Sequence, residues 1–179
     1  ALMELRDGNN HANFSGTVKS ASGRQVVIAN CNVKSELAMN LPSQGVLTLG
    51  NREYTYSSFT MQKTPSGETT FSFTITSETT GLSSTVGREA SVGTSIDFKG
   101  IPYYQSQMNE FLRAFTKAFN DIKHKGVDLY KNPMQSFFVA DSVQGTELGF
   151  AEADHDVIRS NGDSYYRLTA ANLKVSGSC

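Results

Sequence analysis

One long helical pattern, in a chain that otherwise reads as strand and loop, limits the folds open to this sequence more than any other feature. Between Ile101 and Ile122 the residues Met108, Phe111, Leu112, Phe115, Phe119 and Ile122, with Ala118 beside them, recur at steps of three and four. That is the spacing of one helix face, and it predicts that this face is buried. Pro102 presets the backbone near a helix start. Lys123, His124 and Lys125 suit the negative end of the helix dipole, and Gly126 is placed for a left-handed stop.

The composition shifts after Asn10 and again near Gly100, which divides the chain into a short leading segment, a strand-rich block and a mixed closing segment. Phe14 to Lys19 and Arg24 to Ala29 flank a Ser22-Gly23 turn signal. Leu47 to Leu49 and Arg52 to Tyr56 flank Gly50-Asn51, a Gly-first pair suited to a tight hairpin whose first turn residue needs positive φ. Beyond it the phase slips: Tyr54 and Tyr56 share one register, Phe59 and Met61 the other, which predicts a bulge at Ser57-Ser58. Pro65-Ser66-Gly67 reverses the chain into Thr70 to Thr76, where Phe71, Phe73 and Ile75 alternate with hydroxyl residues. Residues 77–93 are dense in Ser, Thr and Gly and read as loop or weak edge strand, with Ser95 to Phe98 as the returning strand. About six short strands joined in this way suit an antiparallel sandwich or a partly open barrel. After the helix, Gln135 to Ala140, Glu147 to Ala151 and Tyr165 to Thr169 are strand candidates, and Ala170 to Asn172 allows a short helix.

A chain of 179 residues with 38% apolar content can build one ordinary domain or two small ones. Its 16 basic and 17 acidic residues are interspersed, so no surface for nucleic acid or anionic membrane is expected. No apolar run reaches the roughly 20 residues that span a bilayer. Ala1 to Asp7 reads as the end of a helix already under way, as in a piece of a longer protein. Cys31 and Cys179 form no metal knuckle or redox motif; the expectation is a half-buried Cys31 in a strand and a free Cys179 at a frayed end.

Catalysis needs convergent groups, and the sequence offers few. His11, His124 and His155 are scattered. Glu152-Ala153-Asp154-His155-Asp156 is the densest ionisable cluster, but it lacks the glycine turn and later bidentate Glu of a calcium loop and reads as a solvated loop. No metalloprotease, nucleophile-elbow or phosphate-loop motif occurs, so no catalytic, cofactor or metal residue is assigned and an enzyme is not expected. Asp7 to Asn10 and Ser160 to Asp163 read as turns. The hydroxyl-rich strand faces around Thr69 to Thr80, with Tyr54 and Tyr56 as stacking platforms, offer an alternative: an extracellular β-sheet module binding a glycan or a host surface.

Four stretches in order carry a resemblance. Leu5-Arg6-Asp7-Gly8-Asn9-Asn10, then Ile101-Pro102-Tyr103-Tyr104-Gln105 through Phe119-Asn120, then Gly126-Val127-Asp128-Leu129 with Phe137-Phe138, and finally Tyr166 to Val175 with its Thr-Ala-x-Asn segment resemble the central region of the flagellar hook-associated protein 1 family. The resemblance implies a structural subunit at the junction between hook and filament, exported through the flagellar secretion channel and acting outside the cell. It implies like subunits, hook protein and a second junction protein as partners. In the family the Arg-Asp signal often runs straight on to the long helix; here the β-rich block stands between them. The terminal coiled-coil helices by which family members polymerise lie outside this chain, so the isolated chain is expected to be a monomer.

The fold expected is therefore α+β: a long amphipathic helix scaffold from residues 1–10 and 100–179, with an antiparallel β-sandwich or barrel-like domain inserted at 11–99. The aromatic stripe of the helix is expected to pack within the subunit.

Overall fold

The computed structural model describes Arg6 and residues 14–33, 41–93, 100–148, 150, 157–161 and 164–177. Strands β1 (Phe14–Ser22) and β2 (Gln25–Ala29) form the first hairpin, with Ser22 opposite Gln25. Its turn sits at Gly23-Arg24, one residue beyond the expected place, because Gly23 takes φ 57. β3 (Gly45–Leu49) and β4 (Arg52–Lys63) form the second, with Gly50 at φ 62 as a Gly-first turn requires. β5 (Thr69–Ile75) returns along β4 after a turn at Thr64 to Glu68, in which Gly67 donates to the Thr64 carbonyl at 2.8 Å.

The pairing order β3-β6-β1-β2-β5-β4, closed by a direct β3–β4 pairing, makes an antiparallel barrel. Closure leaves these strands without an open edge. The closing stave, β6 (Glu89–Val92), pairs with β1 on one side and β3 on the other. It lies in the stretch expected to be loop or weak edge strand. Only Ala90 and Val92 point inward from it, too short an alternation to stand out in sequence. The expected strand at Ser95 to Phe98 lies outside the described residues.

β4 is the longest strand because it serves two neighbours. Arg52 to Tyr56 pair with β3; beyond the register shift between Tyr56 and Ser58, Thr60 to Gln62 pair instead with β9 (Val157–Arg159). The predicted bulge is present, and it puts Tyr54, Tyr56, Phe59 and Met61 all on the interior.

Phe14, Ile28, Leu47, Leu49, Tyr56, Phe59, Phe71 and Phe73 fill the barrel with at most 1% of their surface exposed. At about 1.5–3 kcal/mol for each fully buried large side chain, this cluster dominates the favourable side of folding. The closing segment joins it. Tyr166 meets Phe59 edge to face at 5.3 Å, and Ser160 Oγ accepts from Phe59 N at 2.9 Å.

A second, smaller unit consists of helix α1 (Ile101–His124) and a sheet ordered β10-β7-β8, from Leu173–Val175, Phe138–Asp141 and Glu147–Leu148. Its core is Ala140, Leu148, Phe150 and Leu168, with Leu112, Tyr165 and Leu173 packed against it. Two expected strands appear here in shortened form. Tyr165 to Thr169 is not a strand: Tyr165–Arg167 is a 3-10 turn capped by Ser164 Oγ, and β10 takes the place beside β7. Ala170 to Asn172 forms a turn rather than a helix.

The helix-scaffold architecture is thus overturned. The described chain is mostly β, built on a closed antiparallel barrel, with one long helix at its side. The barrel core contains no residue of α1, and Leu112 is the helix's one apolar contribution to the small cluster. The helix also ends differently. Gly126 is not left-handed; Lys125 closes a last tight turn, and Gly126 is constrained because a Cβ there would lie 3.0 Å from Met134 Sδ.

Candidate assembly surface

Helix α1 turns one row of polar residues inward. Asn109, Arg113, Thr116 and Asn120 recur at steps of four, three and four, and the last three are buried. The reason lies in what they meet: backbone groups of the small sheet and its connections that need side-chain partners. Asn109 Oδ1 accepts from Ala170 N at 2.9 Å. Arg113 Nε donates to the Leu168 carbonyl at 3.2 Å, and its guanidinium lies 4.6 Å over the Tyr166 ring. Burial pulls the Arg113 pKa down and pushes Tyr166 up to about 12, each offset in part by the other. Asn120 Oδ1 accepts from Phe137 N at 3.0 Å and Phe138 N at 3.1 Å, while Nδ2 donates to the Phe138 carbonyl at 2.8 Å and Tyr165 Oη at 3.1 Å.

The apolar stripe consequently faces outward. Ile101, Tyr104, Met108, Phe111, Phe115, Phe119 and Ile122 are 40–69% exposed. The expectation of a buried face, packed within the subunit, is corrected by this finding: periodicity identifies the apolar side but not which side the chain itself covers. The rings form a ladder. Phe111 stacks on Phe115 at 6.2 Å and Phe115 lies 6.2 Å from Phe119. Phe138 backs the last two at 5.5 and 5.0 Å, and Phe137 meets Phe119 at 5.4 Å.

Beyond the helix, Asp128 organises a tight loop. Its Oδ1 accepts from Tyr130 N and Asn132 N, each at 2.8 Å, and its Oδ2 from Asn132 Nδ2 at 3.0 Å. These bonds, those of Asn132 foremost, hold the carboxyl below its ordinary pKa. The loop projects Leu129 and Tyr130, 100% and 86% exposed. The Gly-x-Asp-Leu segment of the sequence is therefore a turn closed by Asp128 that presents exposed apolar side chains following the helix.

Among the described residues the other sites read from sequence do not converge. Tyr54 and Tyr56 are buried in the barrel, at 4% and 0% exposure, so neither is available to stack on a sugar. Tyr56 Oη instead donates to the Pro42 carbonyl at 2.7 Å. His124 lies 3.1 Å from Ser136 Oγ at the end of α1; His11, His155, Cys179 and the Glu152 to Asp156 cluster lie outside the described residues. Among the described residues no group of His, Cys, Asp and Glu is placed to hold a metal.

Cys31 lines an open cleft of about 570 Å³ with Asn30, Lys63, Gly67, Glu68 and Thr69. Burial, reinforced by Glu68, pushes its thiol up to about 11, so it is protonated and a poor nucleophile at neutral pH. A second cleft, of about 390 Å³, is lined by Arg52, Glu53, Tyr54, Ser77, Glu78 and Thr80.

The exposed face of α1 is large for a single chain. Monomeric soluble proteins seldom expose one apolar patch beyond about 300–600 Å². At roughly 200 Å² for each large side chain, the outer face of α1 presents on the order of 750 Å². Sequence reasoning found the stripe but not the inward polar row, whose signal, Asn-x3-Arg-x2-Thr-x3-Asn at helical spacing, was present in the same residues. No helix among the described residues is long and apolar enough to cross a membrane. In comparison with known proteins no family model matches the chain, and no curated protein or solved structure matches it either.

Proposed function

We propose that this chain is a structural subunit of the bacterial flagellum at the junction between hook and filament, working outside the cell after export through the flagellar secretion channel. The observation that supports this reading is the exposed apolar face of α1, which needs a protein partner to leave water. A junction subunit must present such faces to like subunits, to hook protein and to a second junction protein. The same helix and the loop that follows it carry the resemblance on which the flagellar assignment rests, and the Asp128 loop gives that segment a fixed shape. The barrel supplies a closed, densely packed apolar core.

Antibodies raised against the chain test this directly. On flagella isolated from the source bacterium they should label one narrow band at the boundary of hook and filament in electron micrographs. Unlabelled flagella, or label confined to the cell surface, would refute the assignment. Phe111→Asp should abolish incorporation at that band while leaving the barrel folded.

A further inference from the structure

We propose that the Leu129–Tyr130 turn of one copy seats in the barrel cleft lined by Arg52, Glu53, Tyr54, Ser77, Glu78 and Thr80 of the next copy, head to tail through the assembly. This rests on reading the chain as a junction subunit, and it names one contact between like subunits.

The turn is ordered before any contact. Asp128 N donates to the Asn132 carbonyl at 2.9 Å and Lys131 N to the Asp128 carbonyl at 3.0 Å, which ties both ends of it. The Asp128 carboxylate fixes the same backbone from within. A tip held in this way presents its side chains at low entropic cost on docking. Leu129 and Tyr130 are almost wholly in water, so they have most to gain from a seat.

The cleft offers one. Its volume of about 390 Å³ lies within the roughly 300–1,000 Å³ of pockets that enclose small ligands, enough for one or two side chains. The Thr80 carbonyl accepts from Arg52 Nη1 and from Tyr54 Oη, each at 3.4 Å, and Thr80 Oγ1 donates to Glu78 Oε1 at 2.6 Å. Gly81 leaves the room that the Arg52 guanidinium occupies. A guanidinium held at such a wall offers its flat face to an aromatic ring, and Tyr130 supplies the ring.

Charge selects this cleft. Lys123, Lys125 and Lys131 flank the turn against Asp128 alone, a net of two positive charges in a chain whose total is -1. Glu53 and Glu78 outnumber Arg52 in the cleft, a net of one negative charge. The other barrel cleft has Lys63 and Glu68, and Glu68 is already paired to Lys19 at 3.4 Å, which leaves a net of one positive charge there. Of the two clefts, the first attracts the turn and the second repels it. Because the two surfaces differ, the contact propagates from copy to copy instead of closing on a pair, as an axial assembly requires. It is also small. At roughly 200 Å² for each large side chain it draws on the order of 400 Å² from the turn, about half the roughly 800 Å² per partner of a standard interface. The isolated chain therefore stays a monomer, and the contact forms where neighbours are already held side by side.

Flagella isolated from the source bacterium, with Lys131→Cys and Glu78→Cys placed on a Cys179→Ser background, provide the test; Cys31 is buried. A short bis-maleimide should join the chain into a ladder of dimers, trimers and higher multimers, and either cysteine alone should give none. Tyr130→Asp added to the pair should remove most of the ladder, with the circular dichroism spectrum of the isolated chain unchanged. Lys131→Cys with Thr69→Cys, in the other cleft, should not cross-link. A labelled band at the junction that yields no ladder overturns the contact and leaves the junction reading, as does cross-linking through Thr69→Cys. Product that stops at the dimer, or a ladder indifferent to Tyr130→Asp, also overturns the contact alone. Flagella without the band overturn the junction reading, and this contact with it.

Discussion

Asn120 shows at the scale of one residue why the helix sits as it does. Its side chain satisfies two backbone donors, one backbone carbonyl and one tyrosine hydroxyl at once. An unsatisfied buried polar group costs about 1–3 kcal/mol. Asn120→Ala orphans several together, so chemical denaturation should show a loss of about 2–4 kcal/mol, partly relieved where water enters. Thr116 makes the opposite case. It is fully buried, and its hydroxyl finds no hydrogen-bond partner. Thr116→Val keeps the shape and removes the unpaired group, so it should be neutral or raise stability by up to about 1 kcal/mol. A loss from Thr116→Val as large as that from Asn120→Ala would mean the hydroxyl has a partner after all. The polar row that holds both residues is visible in the sequence, but the role of neither is. A single polar residue among apolar ones looks like a solvent-facing position until the groups it satisfies, here far along the chain, are brought beside it.

At the scale of elements, long periodicity fixes the type of element, as in α1 and β5, but not which face of α1 the chain covers. β5 alternates as expected, and the slip of phase in β4 marked its bulge. The two hairpins declared themselves through Gly23 and Gly50, whose positive φ disfavours other residues. Short elements stand out less: β6 lies in the stretch read as loop or weak edge strand, and β9 and β10, of three residues each, lie where no strand is expected; all become strands because neighbours pair with them. Close approach of strands leaves its own mark at Gly16 in β1. A Cβ there would lie 2.6 Å from Ile28 Cγ2 and 2.9 Å from the Ala29 carbonyl oxygen. Since backbone must then move, Gly16→Ala should lower stability by about 1–3 kcal/mol, seen as an earlier thermal transition. An unchanged melt would show that β1 and β2 separate more freely than this packing allows.

For the whole molecule, the barrel closes through pairings remote in sequence and buries tyrosines in its core, Tyr56 and Tyr166 among them. Burial raises Tyr166 to about 12 and Tyr56 further still, from an ordinary value of 10.0. Their contribution is fully present below pH 10; as pH rises beyond it the unfolded chain gives up protons that the folded one retains, and stability falls. The thermal midpoint should therefore drop between about pH 10 and 12, with tyrosinate absorbance from these residues appearing only as the chain unfolds. Tyr166→Phe should flatten that drop; a flat profile for the parent chain would mean the tyrosines are not sealed. The sequence by itself determined the helix, most of the strands and the bulge, because each depends on residues within a few positions of one another. Tertiary structure alone decided that the strands close into a barrel, that the closing segment lends it β9 and Tyr166, and that α1 faces water with its phenylalanines. Those outcomes depend on which backbone groups remain unpaired once distant segments meet, and the polar row of α1 answers them at the expense of its apolar face.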